Sequence, residues 1–398
     1  MTIKLSDNAR MLLSLFLPLY AIHCMEQVYF VYGNVLQEMA ISPEMTGWLL
    51  SSFFIAIMAC RTVGGWFLEN LGIRRTLQIG SIVGFVGCSV LFVASFEIFR
   101  GSVGILFLGR VLSGASFGIY SIGIFSYQAI TIPEHMRGAV FAIVISGGIL
   151  PTATITPIGE WLLFGSHLRA YLALGPLLCV ACWYFGSKLG TDEAPKRGRR
   201  GQWGSYGDLV RSRGFLPLVL TGSVVALIDA SMVNISLLAA EKGVAASYFL
   251  ASCSVAAVIV RVAGARLLNV APRLVAFAPC GMLMTLAILL VSVVPSGTTF
   301  LISGALFGIG IGAAFPMFLA LISDTLPQEL RPKGMATALL LYDSGWFLTP
   351  LIVGYATAAF GVAGTFRLLS LSTLAILAVL QCLYWVPRFR AMRIAKDA

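Results

Sequence analysis

Seven ionisable side chains lie deep inside apolar stretches of the sequence: His23, Glu26, Arg61, Arg110, Asp229, Arg261 and Asp343. A charge placed in hydrocarbon costs a few kcal/mol, so such a residue defaults to a functional or a paired one. His23 and Glu26 are three residues apart and share a helix face. A carboxyl group beside an imidazole can take up and release a proton, with the imidazole tuning it. Tyr29, three residues further on, continues near that face. Asp229, with Ser231 and Asn234 close by, can hold a proton or a cationic group. Other chemistry lacks its parts. The histidines stand apart at 23, 135 and 167, and no nucleophile, base or metal-ligand cluster accompanies them, so an enzyme is not expected. No glycine-rich loop ends in a Lys-Ser/Thr pair, so neither ATP drive nor another cofactor is expected. The eight cysteines all fall in apolar runs, in neither a disulfide nor a metal pattern, and Cys179-x-x-Cys182 reads as two packing residues.

The elements that must position these groups follow from composition. Of 398 residues, 58% are hydrophobic and 11% are charged. The charged share is less than half the roughly 25% of soluble domains. No soluble enzyme, nucleic-acid module or disordered chain has this balance, and the long apolar runs exclude a β-barrel. The chain reads as an all-α membrane protein that partners a lipid bilayer. A helix needs about 20 apolar residues to cross the hydrocarbon. Twelve candidate spans meet this, at about 11–33, 46–68, 76–96, 102–126, 138–163, 168–189, 215–240, 245–268, 273–294, 299–324, 335–359 and 364–386. The polar Gly- and Arg-rich stretch near the midpoint divides the chain into a six-helix bundle at 1–190, a cytoplasmic linker at 191–214 and a second bundle at 215–398. Twenty of the 27 Lys and Arg fall on the side of the N-terminus, four on the other and three within spans. That bias places both termini in the cytoplasm of a cell whose inner membrane the chain crosses, and explains the net charge of +10 without nucleic acid.

The two halves repeat. Phe16-Leu17-Pro18-Leu19 recurs as Phe215-Leu216-Pro217-Leu218, and Arg61-x-x-Gly64 as Arg261-x-x-Gly264. Gly114-x-x-x-Gly118 recurs as Gly308-x-x-x-Gly312, and Pro133-x-x-x-Arg137 as Pro327-x-x-x-Arg331. Four matches in one order, at offsets of about 194 to 200, argue for a duplicated six-helix unit. The Gly pairs read as close helix approaches. Two parallel repeats are the architecture of a carrier with a midplane site.

These motifs resemble those of the major facilitator superfamily. The loop after span 2, Gly65-Trp66-Phe67-Leu68-Glu69-Asn70-Leu71-Gly72-Ile73-Arg74-Arg75, is similar to its G-x-L-a-D-r-x-G-r-k signature, with Glu69 for the usual Asp and Ile73 for the first basic residue. Arg110-Val111-Leu112-Ser113-Gly114 is similar to the R-x-x-q-G motif of proton-coupled members. Gly147-Gly148-Ile149-Leu150-Pro151, followed by Thr156-Pro157-Ile158-Gly159, resembles the G-P-x-x-G motif of the drug and metabolite antiporter branch, with Thr156 where a Gly is expected. The resemblance implies twelve helices in two halves, a monomer, and alternating access. Spans 1 and 4 line the cavity of that family, which implies that Arg110 faces Glu26. Span 2 of one half packs on span 11 of the other, which implies an Arg61–Asp343 latch joined by Glu69, Arg74 and Arg75. Arg261 would then meet Thr152, Thr154, Thr156 or an anionic substrate.

The expected function is proton-coupled efflux of a polar metabolite, metallophore-like compound or drug, with small-molecule substrate and protons as partners. A proton-coupled importer of an anionic or zwitterionic metabolite, or a receptor that binds without transport, is the alternative. Three buried arginines against three buried acids suit a mixed-charge solute better than a lipophilic cation.

Overall fold

The computed structural model describes residues 7–132, 143–189, 206–263, 272–294, 296–327 and 329–397. The described residues are helical with no strand, and they divide into two compact units, Met1–Gly198 and Arg199–Ala398. The first unit contains α1 (Asp7–Gln27), a 3-10 turn at Val28–Val31, α2 (Tyr32–Glu38), α3 (Pro43–Val93), α4 (Val103–Thr131), α5 (Pro151–Phe164) and α6 (Leu168–Ser187). The second contains α7 (Tyr206–Arg211), α8 (Phe215–Asp229), a 3-10 turn at Ala230–Val233 and α9 (Ile235–Glu241). It continues with α10 (Ser247–Ala263), α11 (Arg273–Val293), α12 (Gly297–Thr325), α13 (Arg331–Leu380), a π-helical turn at Gln381–Trp385 and α14 (Val386–Asp397).

Nine helical segments among the described residues are long and apolar enough to cross a membrane. This is consistent with twelve passages. The long α3 and α13 each hold two helices, divided at Gly72 (φ 76°) and Gly361 (φ 66°), a left-handed conformation that glycine alone adopts without strain. At both bends a threonine four residues on donates its hydroxyl back to the glycine carbonyl, Thr76 at 2.7 Å and Thr365 at 2.8 Å. The linker is not wholly irregular. Its residues 191–205 lie outside the described ones, but 206–211 form α7, whose Leu209 is buried and abuts Gly334.

Each unit is closed by helices that touch through glycines. A side chain at Gly114 of α4 would strike the Phe53 carbonyl, and one at Gly118 would meet Ile57 and Cys60. In the second unit a side chain at Gly308 of α12 would strike the Cys253 carbonyl, and one at Gly312 would meet Ala257 and Val260. The partners are offset by 200 residues while the glycines are offset by 194, the two spacings of the sequence repeat. The duplication thus extends to individual contacts. Pro133, Arg137 and Gly264 lie outside the described residues.

Because backbone cannot retreat as a flexible side chain can, Gly114→Ala should cost about 1–3 kcal/mol. Gly104 also lies in α4 but has open space around it. Gly104→Ala should be neutral or slightly stabilising. Melting temperatures in detergent check this, and equal effects at the two sites would refute the contact.

Candidate functional site

A break in the first helix organises the first unit. The ladder of α1 ends at Gln27 and tightens to 3-10 pitch over Val28–Val31, a stretch rich in β-branched and aromatic residues. Carbonyls released there need other donors. Thr156 donates to Gln27 O at 2.9 Å and Tyr171 to Val28 O at 2.9 Å. Gln27 Nε2 donates to Gly148 O at 2.6 Å, and Tyr20 bonds Thr154 at 2.7 Å. Residues of α5 and α6, and Gly148 before them, therefore fix the break. One turn before it, His23 Nδ1 and Glu26 Oε2 lie 2.9 Å apart, with side chains 17% and 11% exposed. Phe117 meets the His23 ring edge-on at 5.0 Å, and a side chain at Gly148 would press on that ring.

Arg110 does not face Glu26. It is 2% exposed on α4, and its Nε and Nη2 donate to the carbonyls of Leu49 and Leu50 at 3.3 and 3.4 Å. Its guanidinium lies over Phe53 at 4.6 Å, Tyr29 at 5.7 Å and Tyr32 at 5.8 Å. The expected pairing fails by depth. Arg110 is centred on residues 29–32, at the break itself, whereas Glu26 lies before it and is engaged by His23. A rise of about 1.5–2.0 Å per residue separates them by roughly a helical turn. Among the described residues no carboxylate pairs with Arg110. Its Nη1 and the hydroxyl of Tyr32 have no hydrogen-bond partner. Buried cation–π contacts contribute about 0.5–2 kcal/mol each, while an orphaned buried donor costs about 1–3 kcal/mol. The box holds the cation and leaves one edge of it unanswered.

The loop motif works locally. Arg74 donates through Nε (3.0 Å) and Nη2 to Ser187 O at the end of α6, and Gln78 donates to Ser187 Oγ at 3.2 Å. Arg75 is exposed. The side chains of Gly65 and Glu69 lie outside the described ones. Arg61 on α3 and Asp343 on α13 are half-buried, and each has interaction partners. Pro151 opens α5 and Pro157 lies within it. Thr152 bonds Ile149 O, Thr154 bonds Leu150 O and Tyr20, and Thr156 serves the break, so the hydroxyls considered for Arg261 are engaged inside the first unit.

The second unit repeats the break after Asp229. That residue is 5% exposed, and the Tyr342 hydroxyl donates to its Oδ2 at 2.9 Å. Tyr342 packs against Phe315 and Phe318. Arg261, on α10 and 8% exposed, lies within electrostatic reach of Asp229, Tyr342 and Cys253. Its Nε, Ser231 Oγ, Asn234 Oδ1 and Ser236 Oγ have no hydrogen-bond partner. Thr349 donates to Leu227 O at 2.8 Å beside the break. Among the described residues no cluster could hold a metal ion.

Sequence reasoning did not single out Phe53, Phe117 and Tyr171. Phe53 has a visible signal in retrospect, because it is four residues before Ile57, and the two face Gly114 and Gly118 in register.

The model of the Major Facilitator Superfamily matches residues 5–350 and, again, 276–397. The chain belongs to this superfamily. With its long apolar helices, that makes it a multi-pass membrane protein. Among curated relatives, a probable anion transporter of Arabidopsis thaliana is 28% identical over 123 residues, 31% of this chain and 26% of that protein. A galactose-proton symporter of Escherichia coli is 29% identical over 119 residues, 29% of this chain and 24% of that one. The chain thus spans about a quarter of the length of the curated relatives it matches. Two solved structures share the fold. A D-xylose-proton symporter has a TM-score of 0.74 at 13% identity, over 93% of this chain and 97% of that one. A human organic anion transporter has a TM-score of 0.66 at 14% identity, over 95% of this chain and 100% of that one.

If the broken helix is held by its hydroxyl caps, Thr156→Val, which keeps shape and removes the donor, should cost about 1–3 kcal/mol of stability. Thr154→Val, at a more exposed bond, should cost less. Thermal unfolding in detergent ranks them, and the reverse order would contradict the assignment.

Proposed function

We propose that this chain is a secondary transporter that carries small organic anions by alternating access, driven by protons, with both termini in the cytoplasm. The carrying observation is Arg110: a guanidinium buried in an aromatic box, with no acidic partner among the described residues and one nitrogen unbonded. Nature compensates buried charge, and a cation left without an acid is matched to an acid that arrives. A guanidinium suits a carboxylate, and flanking tyrosines suit a solute with polar groups. The pair His23–Glu26, one turn away and still partly exposed, supports a role in proton coupling. An anion transporter and sugar-proton symporters among the similar proteins support the same class of cargo and the same drive.

Coupling direction has a supporter on each side. Export by antiport of a polar metabolite or drug is favoured by the span-5 segment, where Pro151 and Pro157 shape α5 as in the antiporter motif. Import by symport is favoured by the symporters among the relatives and by Thr156, which replaces the motif glycine and bonds the broken first helix.

Proteoliposomes separate these readings. With a panel of labelled carboxylates, an acid exterior should accelerate uptake for symport and slow it for antiport. Arg110→Gln should weaken apparent affinity by about 10- to 100-fold, the worth of one charge-assisted contact. Glu26→Gln should abolish the response to the proton gradient while counterflow exchange persists. Uncharged solutes carried equally well by the wild type and Arg110→Gln would overturn the anion reading.

A further inference from the structure

The reading above leaves the second buried centre without a task. It lies wholly in the second unit. Asp229 and Arg261, two buried charges on α8 and α10, act on each other, with Tyr342 bonded to the carboxylate. The neighbouring groups are few. From α13 come Tyr342 and, acting on it, Asp343, and from α10 come Arg261 and Cys253. The helices α11 and α12 also pack on α8, but their Arg273 and Asp324 answer each other at 3.1 Å. Arg261 Nε is buried without a hydrogen bond, and so, on the turn and helix that follow Asp229, are Ser231 Oγ, Asn234 Oδ1 and Ser236 Oγ. A buried polar network satisfied in part is costly and needs a reason. A structural ion pair alone would not leave its guanidinium Nε unanswered.

We propose that Asp229 is a second proton-binding site, and that its protonation arms Arg261 to bind an anion. With Asp229 ionised, its charge offsets the guanidinium. A hydronium ion then transfers its proton to the carboxylate, leaving neutral acid and water, and no other bond breaks. The Tyr342 hydroxyl, which donates to the carboxylate, becomes acceptor to the acid proton. The charge of Arg261 has now lost its offset in a low-dielectric interior, and an anion relieves it. The unpaired Nε supplies a donor. Proton and anion therefore bind cooperatively, as a neutral sum. The physiological anion rests on the proposed function, whereas the proton on Asp229 does not.

Infrared difference spectra of the purified full chain in detergent, recorded on acidification, test this directly. Methanesulfonate serves as the anion because it stays ionised throughout. A protonated-carboxyl band should appear in the wild type and in Glu26→Gln, and one component should vanish in Asp229→Asn. Asp229→Glu should restore a titrating component, and it decides the matter should the Asn variant fail to fold. Tyr342→Phe should keep that component at a changed frequency. Methanesulfonate should bring it in at higher pH, by about one unit for each tenfold preference of the anion for the protonated form. In Arg261→Lys that shift should shrink. An Asp229→Asn spectrum with every component intact, or a wild-type band indifferent to methanesulfonate, would overturn the proposal. Flux without proton drive would sink the proposed function and leave the infrared result standing, so the two failures are distinguishable.

Discussion

Everything in this molecule answers to one constraint: inside hydrocarbon, each charge and each released carbonyl must find a partner within the protein. Arg110 shows the constraint at its sharpest. Three aromatic faces and two carbonyls hold its guanidinium, and none of them carries a full negative charge. Lysine would not replace it, because a compact ammonium lacks both the flat face for Phe53 and the spread of donors for Leu49 and Leu50. The same accounting explains the broken helices. Releasing carbonyls at Gln27 and Val28 is tolerable because Thr156 and Tyr171 stand ready to donate to them. Those donors pin the segment that carries Glu26, Tyr29 and Tyr32, so the His23–Glu26 pair and the aromatic box are set by one device.

The two units meet this constraint differently from one duplicated plan. By the spacing of the repeat, Arg110 corresponds to Gly304, whose missing side chain lets α12 touch the Phe249 carbonyl. Arg110 reaches the equivalent carbonyl, that of Leu49, with a guanidinium. Where the first unit has aromatic rings for its buried cation, the second has Asp229 for Arg261. The same helix pair thus holds a buried arginine in one copy and makes a tight glycine contact in the other.

Much of the fold was legible beforehand, and for physical reasons. Bilayer thickness sets span length, so twelve apolar runs could be placed from composition. Backbone approach demands glycine, so Gly114, Gly118, Gly308 and Gly312 announced two helix contacts. The buried ionisable residues were equally visible, because few charges occur in such runs. Their partners were not. Counting rise per residue put Arg110 level with Glu26, and it missed by roughly a helical turn because composition does not fix where each span begins. Tyr171 was invisible as a donor because a tyrosine in an apolar run most often packs. Arg74 reads as part of a latch with Glu69 and Arg75, and only its bond to Ser187 shows that it ties two helices of one unit together.

The central claim is that the unanswered edge of Arg110 is where an organic anion is received. Diffraction at the bromine edge from crystals grown with 4-bromobenzoate tests it most directly. The account predicts an anomalous peak beside the Arg110 guanidinium, against Phe53 and between Tyr29 and Tyr32, which disappears in Arg110→Gln. Bromine found only along lipid-facing surfaces, with the guanidinium unchanged, would contradict it.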